Sequence, residues 1–540
     1  MPPGLFPLGT TAESDPPRMP VPEVTSAQLG AVYTPPRVAA ALCGWAIGSP
    51  RATMLDPAAG DGVFLRAARQ RLAALGGPDA ECFGVDIDPA AAELSGSLHA
   101  DFFLWSAVTD RKFDAVLGNP PYVRSHQFPE ASRRAAFAGM RALGMRPSRL
   151  MSTWAPFVAL AAGRVDRGGR MALVVPEELL TIGYATELRS TLLRRFRSVT
   201  ICAPPRNLFP SVQQATVLLL ADDSASYRPG LQLLGYDDLC AGRYEAARPA
   251  PPWPWTGKWT HLLLSERARR LVEELVSRIG WRTLADYGRV EVGIVTGNNA
   301  FFLLDRRRAA QIRSSNRIPA LSRTHQVPGI VFAQSEYDRL VERDSPMEML
   351  NLQCAPENLE LEEAAYVAEG IAAGVSSGYK CRNRYPWYAV PSVRRSDAVL
   401  FRQSGRFPRI VHLERGCAVT DTMHRIVWRD RVCGRSVAAG FMNAWTLLYA
   451  ELFGRSYGGG VLELMPSEAR KLPVPKPGPE LRRLATDVDR MVRDRRFEDA
   501  IGVVSGMVLP EHATAERDEI CAILLQLGER RAGRSGIASG

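Results

Sequence analysis

Four consecutive residues, Asn119-Pro120-Pro121-Tyr122, carry the sharpest chemical pattern in the chain. Two adjacent prolines fix φ and remove two backbone donors, so the carbonyls beside them face little local competition for hydrogen bonds. The Asn119 side-chain oxygen and the Pro120 carbonyl then form a rigid pair of acceptors for the two hydrogens of an exocyclic or amide NH2. Tyr122 supplies a ring that can stack on the planar group carrying it. An amine conjugated to such a ring is a poor nucleophile because its lone pair is delocalised. Two acceptors that favour a pyramidal nitrogen localise that pair, and catalysis becomes largely a matter of positioning and electrostatics. This chemistry calls for no metal, no covalent nucleophile and no strong base.

A ligand site is expected just upstream. The loop Asp56-Pro57-Ala58-Ala59-Gly60-Asp61-Gly62 lies between a strand-like run and the helical VFLRAARQRLAAL. Small residues such as Ala58 and Gly60 let a ligand approach the backbone closely. Asp56 is expected to organise this loop and the ammonium end of the ligand. Asp86, followed by Ile87, comes 24 residues after Gly62 at the end of the next strand, where a carboxylate accepts from both hydroxyls of a ribose. Asp101-Phe102-Phe103 then supplies an acceptor for an adenine amino group beside an aromatic face. Asp61 and Asp88 read instead as solvated carboxylates or helix caps. No Gly-x-x-x-x-Gly-Lys-Ser/Thr loop is present to cradle a triphosphate. A nucleoside carrying a non-phosphate group is therefore expected, and S-adenosylmethionine meets that description.

The elements that must hold these loops follow an α/β pattern. Short β-rich runs (Thr53–Leu55, Cys82–Val85, Phe113–Leu117, Met171–Val175, Val199–Ile201, Ala215–Leu220) alternate with helical stretches between residues 31 and 246. This predicts a Rossmann-like, doubly wound and mainly parallel sheet. Residues 1–30 are expected to form an extended, poorly ordered arm, since nine prolines fall in the first 36 positions. Residues 247–258, rich in proline and tryptophan, are expected to be a linker. An α+β domain over 259–477 and a charged helical segment over 478–540 complete the division.

The 540 residues carry 67 basic and 57 acidic side chains, a net charge of +10. Between Ser376 and Arg435 stand 13 basic residues against four acidic ones, so this block alone supplies +9. Arginine, suited to bidentate contact with phosphate or a guanine edge, provides 12 of the 13. Lys380, Arg382, Arg384, Arg394 and Arg395, interleaved with Tyr379, Tyr385, Trp387 and Tyr388, are the predicted nucleic-acid contacts, with about half of the block's arginines expected to be structural. Nine scattered cysteines without a Cys-x-x-Cys pair indicate neither a disulfide framework nor a zinc site. With no signal peptide and no membrane-length apolar run, a cytoplasmic protein is expected.

Tyr33-Thr34-Pro35-Pro36, the Asp56–Gly62 loop, Gly84-Val85-Asp86-Ile87-Asp88-Pro89, Ala100-Asp101-Phe102-Phe103 and Asn119-Pro120-Pro121-Tyr122 together resemble the adenine-N6 DNA methyltransferases of bacterial restriction-modification and phage-defence systems. The order is that of the gamma, TaqI-like group, and the resemblance covers about residues 30 to 225. It implies that Thr34 binds the cofactor carboxylate, Asp86 the ribose, Asp101 the adenine amino group and Phe102 the ring edge. By the same resemblance Phe209, in Asn207-Leu208-Phe209-Pro210, supplies a second aromatic face for a flipped base, and the second domain reads double-stranded DNA. Implied too are a nucleoid-associated location in a bacterium and a separate nuclease or defence subunits as partners. Three alternatives stay open at this point: an RNA adenine methyltransferase, a protein glutamine methyltransferase, and a DNA-binding methylase subunit that works only with partners.

Overall fold

The computed structural model describes residues 34–77, 80–205, 208, 216–224, 227–253, 257–312, 314–457, 460–509 and 514–532. The chain divides into two compact units, one comprising residues up to 179 together with 184–251, the other 180–183 together with 252 onward.

Among the described residues of the first unit, nine strands form one sheet: β1 (Met54–Asp56), β2 (Cys82–Asp86), β3 (Leu98–His99), β4 (Phe113–Gly118), β5 (Val165–Pro176), β6 (Ser198–Cys202), β7 (Thr216–Asp222), β8 (Gly230–Leu234) and β9 (Arg248–Pro249). Their order is β3-β2-β1-β4-β5-β7-β6-β8-β9. The strands from β3 to β5 are parallel, whereas β7 runs antiparallel to both β5 and β6. The expected doubly wound sheet is therefore present, with two reversed strands, β7 and the edge strand β9, that composition alone does not reveal. β1, β4, the core of β5, β6 and β7 are buried along nearly their whole length, as strands covered on both faces must be.

Chain order reverses at β1 and β4, which are neighbours in space but separated by β2 and β3 in sequence. At such a switch point the flanking helices diverge and leave a crevice beyond the carboxyl ends of the strands. The helices that bound this crevice are α1 (Pro36–Ala46), α2 (Val63–Ala74), α3 (Pro89–Ser95), α4 (Phe102–Val108), α5 (Glu130–Ala142) and α6 (Trp154–Arg164). Several of them begin on residues suited to opening a helix. Proline stands in the first turn of α1 and α3, and α4 begins at Asp101, whose carboxylate accepts from the amides of Phe103 and Leu104. Gly62, at φ +78°, opens α2 in the left-handed region beside Ser95, where a Cβ would come within 3.0 Å of the serine side chain.

The second unit is built on an eight-stranded sheet containing Gly288–Val292, Ser396–Phe401, Ile410–Val419 and Met423–Trp428, with Arg317–Leu321 parallel to the third of these. The segment expected as a linker is only partly one. Arg248–Pro249 closes the edge of the first sheet, a place where proline's missing N–H costs nothing. Trp253 and Lys258 are buried in the second unit, the lysine on Glu468 at 3.1 Å. The C-terminal helices Pro479–Arg493, Phe497–Val508 and Thr514–Ala532 share one apolar core with the sheet and with helices Gly434–Phe441 and Ala444–Phe453, so they are an integral layer of this unit.

Arg531 fastens the last helix. Its guanidinium forms a two-pronged pair with Glu451 at 2.6 and 3.1 Å and donates to the carbonyls of Gly405, Arg406 and Gly460. Both side chains are almost wholly buried. Removing one member strands the other charge away from water. Arg531→Ala should therefore cost the second unit about 3–5 kcal/mol in denaturant unfolding; a loss under about 1 kcal/mol would show that the pair is not buried in solution.

Candidate active site

A cavity of about 370 Å³ opens at the switch point of the first unit. It is lined by the loop after β1 (Pro57–Asp61), the end of β2 (Asp86–Asp88), Asp101 and Phe102 at the start of α4, and Asn119, Pro121 and Val123 after β4. Thr34, ahead of α1, completes one wall. Of the residues singled out from sequence, Thr34, Ala58, Gly60, Asp86, Ile87, Asp101, Phe102 and Asn119 thus meet in one place, although they come from five separate stretches of chain.

Asp86 is held by backbone donors. Its Oδ2 accepts from Gly60 at 2.7 Å and its Oδ1 from Asp88 at 2.8 Å, which ties the β1 loop to the β2 end. Burial raises the pKa of this carboxyl, and these donors work against the rise. Ile87 adds a third backbone donor, and a carboxylate's roughly four acceptor positions still leave room for a hydroxyl donor. Asp101 is more heavily engaged: Oδ1 caps α4, and Oδ2 accepts from Ser132 on α5. Phe102 stacks on Phe157 of α6 with ring centres 4.6 Å apart, and Phe103 and Phe128 extend the aromatic lining.

Asp56 lies behind the loop rather than on the cavity wall. Its Oδ1 accepts from the amide of Ala58 at 3.1 Å, while Oδ2 is buried and has no hydrogen-bond partner among the described residues. Burial, reinforced by the charges of Asp86 and Asp61, pushes its carboxyl up to about 8. The approach is possible because residue 118 is glycine, where a Cβ would stand 2.8 Å from Asp56 Oδ1.

In the Asn119–Tyr122 loop, Asn119 Nδ2 donates to the Thr34 hydroxyl at 3.2 Å. The Tyr122 hydroxyl has two acceptors in reach, Asn119 Oδ1 at 2.9 Å and the Val174 carbonyl at 3.1 Å. Burial raises the pKa of this phenol, so it remains a donor. Pro120 is buried. Tyr122 stands beside the cavity without lining it, and Phe209 lies outside the described residues.

Thr153 is a site residue that sequence reasoning missed. Its hydroxyl donates to the Pro121 carbonyl at 2.6 Å and accepts from the Val123 amide at 3.0 Å, bracing the loop from the start of α6. A threonine there reads as an ordinary helix cap, yet this one makes no side-chain cap bond. Ser132, Phe128 and Phe157 were missed for a similar reason, because nothing local distinguishes them from helix-face residues.

In the second unit, nine of the 13 basic residues of the arginine-rich block donate to protein acceptors. Arg384 binds the carbonyls of Val295 and Thr296 at 2.6 and 2.8 Å. Arg394 pairs with Glu291 at 2.8 Å, and the buried Arg425 pairs with the same carboxylate at 2.9 Å. Lys380, Arg382 and Arg395 are exposed and, with Arg431, make no such bond among the described residues. Glu291, Glu463 and Glu498, which neutralise part of the block, lie outside its window, so counting charge along the chain overstated what is free at the surface.

Residues 22–231 match the family model described as N-6 DNA Methylase, and residues 256–509 match that of the C-terminal domain of the Type II methyltransferase M.Eco57I. The chain belongs to the N6-adenine DNA methyltransferase family. Among curated relatives of this methyltransferase, the Type II methyltransferase M.XamI of Xanthomonas campestris pv. amaranthicola is 23% identical over 480 residues, 83% of this chain and 85% of the relative. The Type II methyltransferase M.TthHB8I of Thermus thermophilus is 33% identical over 193 residues, 34% of this chain, and the match spans 42% of that protein. The Type IIL restriction-modification enzyme MmeI, solved in complex with DNA, shares the fold at a TM-score of 0.51 and 12% identity, covering 92% of this chain and 71% of its own. Among the described residues no helix is long and apolar enough to cross a membrane.

The raised Asp56 pKa has a measurable consequence. In the unfolded chain this carboxyl ionises near 3.9, roughly the value of a free aspartate. Between there and about 8 the folded state holds the extra proton, so this group's contribution to stability falls as pH rises through that window and is level above it. Asp56→Asn should therefore gain stability relative to wild type between roughly pH 5 and about 8 in urea unfolding. A difference independent of pH would place the carboxyl in contact with water.

Proposed function

We propose that the chain transfers a methyl group from S-adenosylmethionine to the exocyclic N6 of an adenine flipped out of duplex DNA. The observation that carries this reading is the single cavity shared by Asp86, Asp101, Phe102 and Asn119. When bound there, S-adenosylmethionine would supply an electrophilic methyl on a sulfonium. Asp86 would accept from the ribose hydroxyls with the lone pairs its backbone donors leave free. The Asp101 oxygen shared with Ser132 would accept from the adenine amino group, and the Phe102–Phe157 pair would flank the ring. Asp56, with its orphaned oxygen, suits the neighbourhood of the cofactor's ammonium group, whose charge would favour ionisation of the carboxyl.

At the reacting end, Asn119 Oδ1 and the Pro120 carbonyl accept the two hydrogens of the target NH2. Asn119 Oδ1 is released for this when the Tyr122 hydroxyl turns from it to the Val174 carbonyl, a change between two acceptors already in reach. Thr34 keeps the amide oriented through Nδ2. The bound sulfonium would give its methyl to the target nitrogen and leave as a neutral thioether, and the proton shed by the resulting cationic nitrogen would pass to water. Acceptors set where positive charge develops stabilise the transition state without rearranging. Tyr122 and Phe209 are the proposed stacking partners of the flipped base, and duplex DNA is the proposed partner of the second unit. A nuclease or further defence subunits would be separate chains.

Expression in a methylation-free host followed by single-molecule sequencing should reveal N6-methyladenine at a defined sequence. Asn119→Ala should lower methyl transfer by about 100-fold or more while cofactor affinity changes by less than about threefold, since it removes an interaction specific to the reacting group. Asp86→Ala should instead weaken cofactor binding at least about tenfold. Methylation confined to RNA or to protein glutamine would overturn the proposal.

A further inference from the structure

The second unit carries a surface that combines exposed aromatic rings with cations in a way its own packing does not use. Tyr385 is 92% exposed and Tyr379 67% exposed. Lys380 and Arg382 extend over the Tyr379 ring, their charges 5.6 and 5.4 Å from its centre. Between Ser376 and Arg395 the chain holds five basic residues and no acidic one. A bare ring of this size in water has no folding benefit, and an apolar protein partner would be poorly matched by the surrounding positive charge.

The backbone beneath these side chains is firmly held. Arg384, immediately before Tyr385, binds the carbonyls of Val295 and Thr296 at 2.6 and 2.8 Å. Cys381 is buried, and Gly297, at φ +90°, permits a close approach in which a Cβ would stand 2.9 Å from Lys380 Cβ. On the far side Trp387 packs on Phe301 with ring centres 5.4 Å apart. The rings are thus presented from a braced segment, and ordering them on a ligand costs little conformational entropy.

We propose that the segment from Tyr379 to Tyr385 is the surface with which the second unit takes DNA at an opened or kinked base step. Tyr385 stacks on the exposed base face, Lys380 and Arg382 contact phosphates, and Arg384 is a positioning residue that holds Tyr385 rather than a DNA contact. Stacking rings beside unpaired cations are what bases and phosphates require together. This rests on the DNA-methylation reading above but goes beyond it, by assigning a base-stacking role to a ring far in sequence from the catalytic loop.

The decisive measurement uses the full chain and a fluorescein-labelled duplex containing the methylated site found by sequencing, titrated at several salt concentrations. Tyr385→Ala should weaken binding about tenfold and raise KM for methylation by a similar factor, whereas Tyr385→Phe should stay within about twofold of wild type, because stacking needs the ring and not the hydroxyl. Lys380→Ala and Arg382→Ala should each reduce the salt slope by about one. Arg384→Ala should weaken binding and leave that slope unchanged. Cofactor affinity and thermal midpoint should be unaltered in Tyr385→Ala, whose side chain is in water. Wild-type affinity and KM in Tyr385→Ala, or a Phe variant as impaired as the Ala variant, would overturn the inference while leaving the methyltransferase reading intact. Failure of the wild type to methylate any DNA would remove both.

Discussion

The Asp56 carboxylate and the backbone of Gly118 stand against each other at the ends of two adjacent parallel strands, and the chemistry of the first unit depends on that contact. It exists only because the chain reverses its direction of travel across the sheet between β1 and β4, and because residue 118 has no side chain. With β1 and β4 adjacent, the loop that follows Asp56 and the loop that begins with Asn119 must open into the same crevice. The proposed ligand on the first loop and the proposed nucleophile on the second would then meet in one crevice. The same adjacency buries Asp56 and raises its pKa, so the site stores an unpaired oxygen close to where a cationic group is proposed to bind.

Around that contact the site is braced from outside. Thr34 on the entry to α1, Ser132 on α5 and Thr153 on α6 each spend a hydroxyl on a loop residue rather than on their own helix. Short polar side chains suit this role because they reach a neighbouring loop with few rotatable bonds and so lose little entropy when fixed. The loop is left with one adjustable element, the Tyr122 hydroxyl, poised between two acceptors.

The second unit uses arginine differently. Most of the arginine-rich block is consumed in holding strands and helices together, through carboxylates and carbonyls distant in sequence. A guanidinium with five donors is well suited to such bridging. What remains at the surface is a small group of cations beside exposed tyrosines, and the internal arginines are what keep that group in place.

Local pattern was enough to read the alternation of strands and helices in the first unit and to single out the strand-end loops that meet at the cavity, because glycine turns, strand-end acids and a double proline act through backbone geometry within a few residues. The same reasoning put Asp101 in the cavity but could not show that its carboxylate also caps α4 and meets Ser132. It had no means of finding Thr153, whose hydroxyl bonds depend on a helix starting 30 residues after the loop it supports. The antiparallel β7, the merging of the C-terminal helices into the second core and the division of arginines into structural and free ones were equally out of reach. By itself, then, the sequence determined which residue types stand at the strand ends and therefore the kind of chemistry on offer. Only the tertiary structure decided which of those groups keep an open lone pair or a free charge, because that depends on partners supplied by segments far away along the chain.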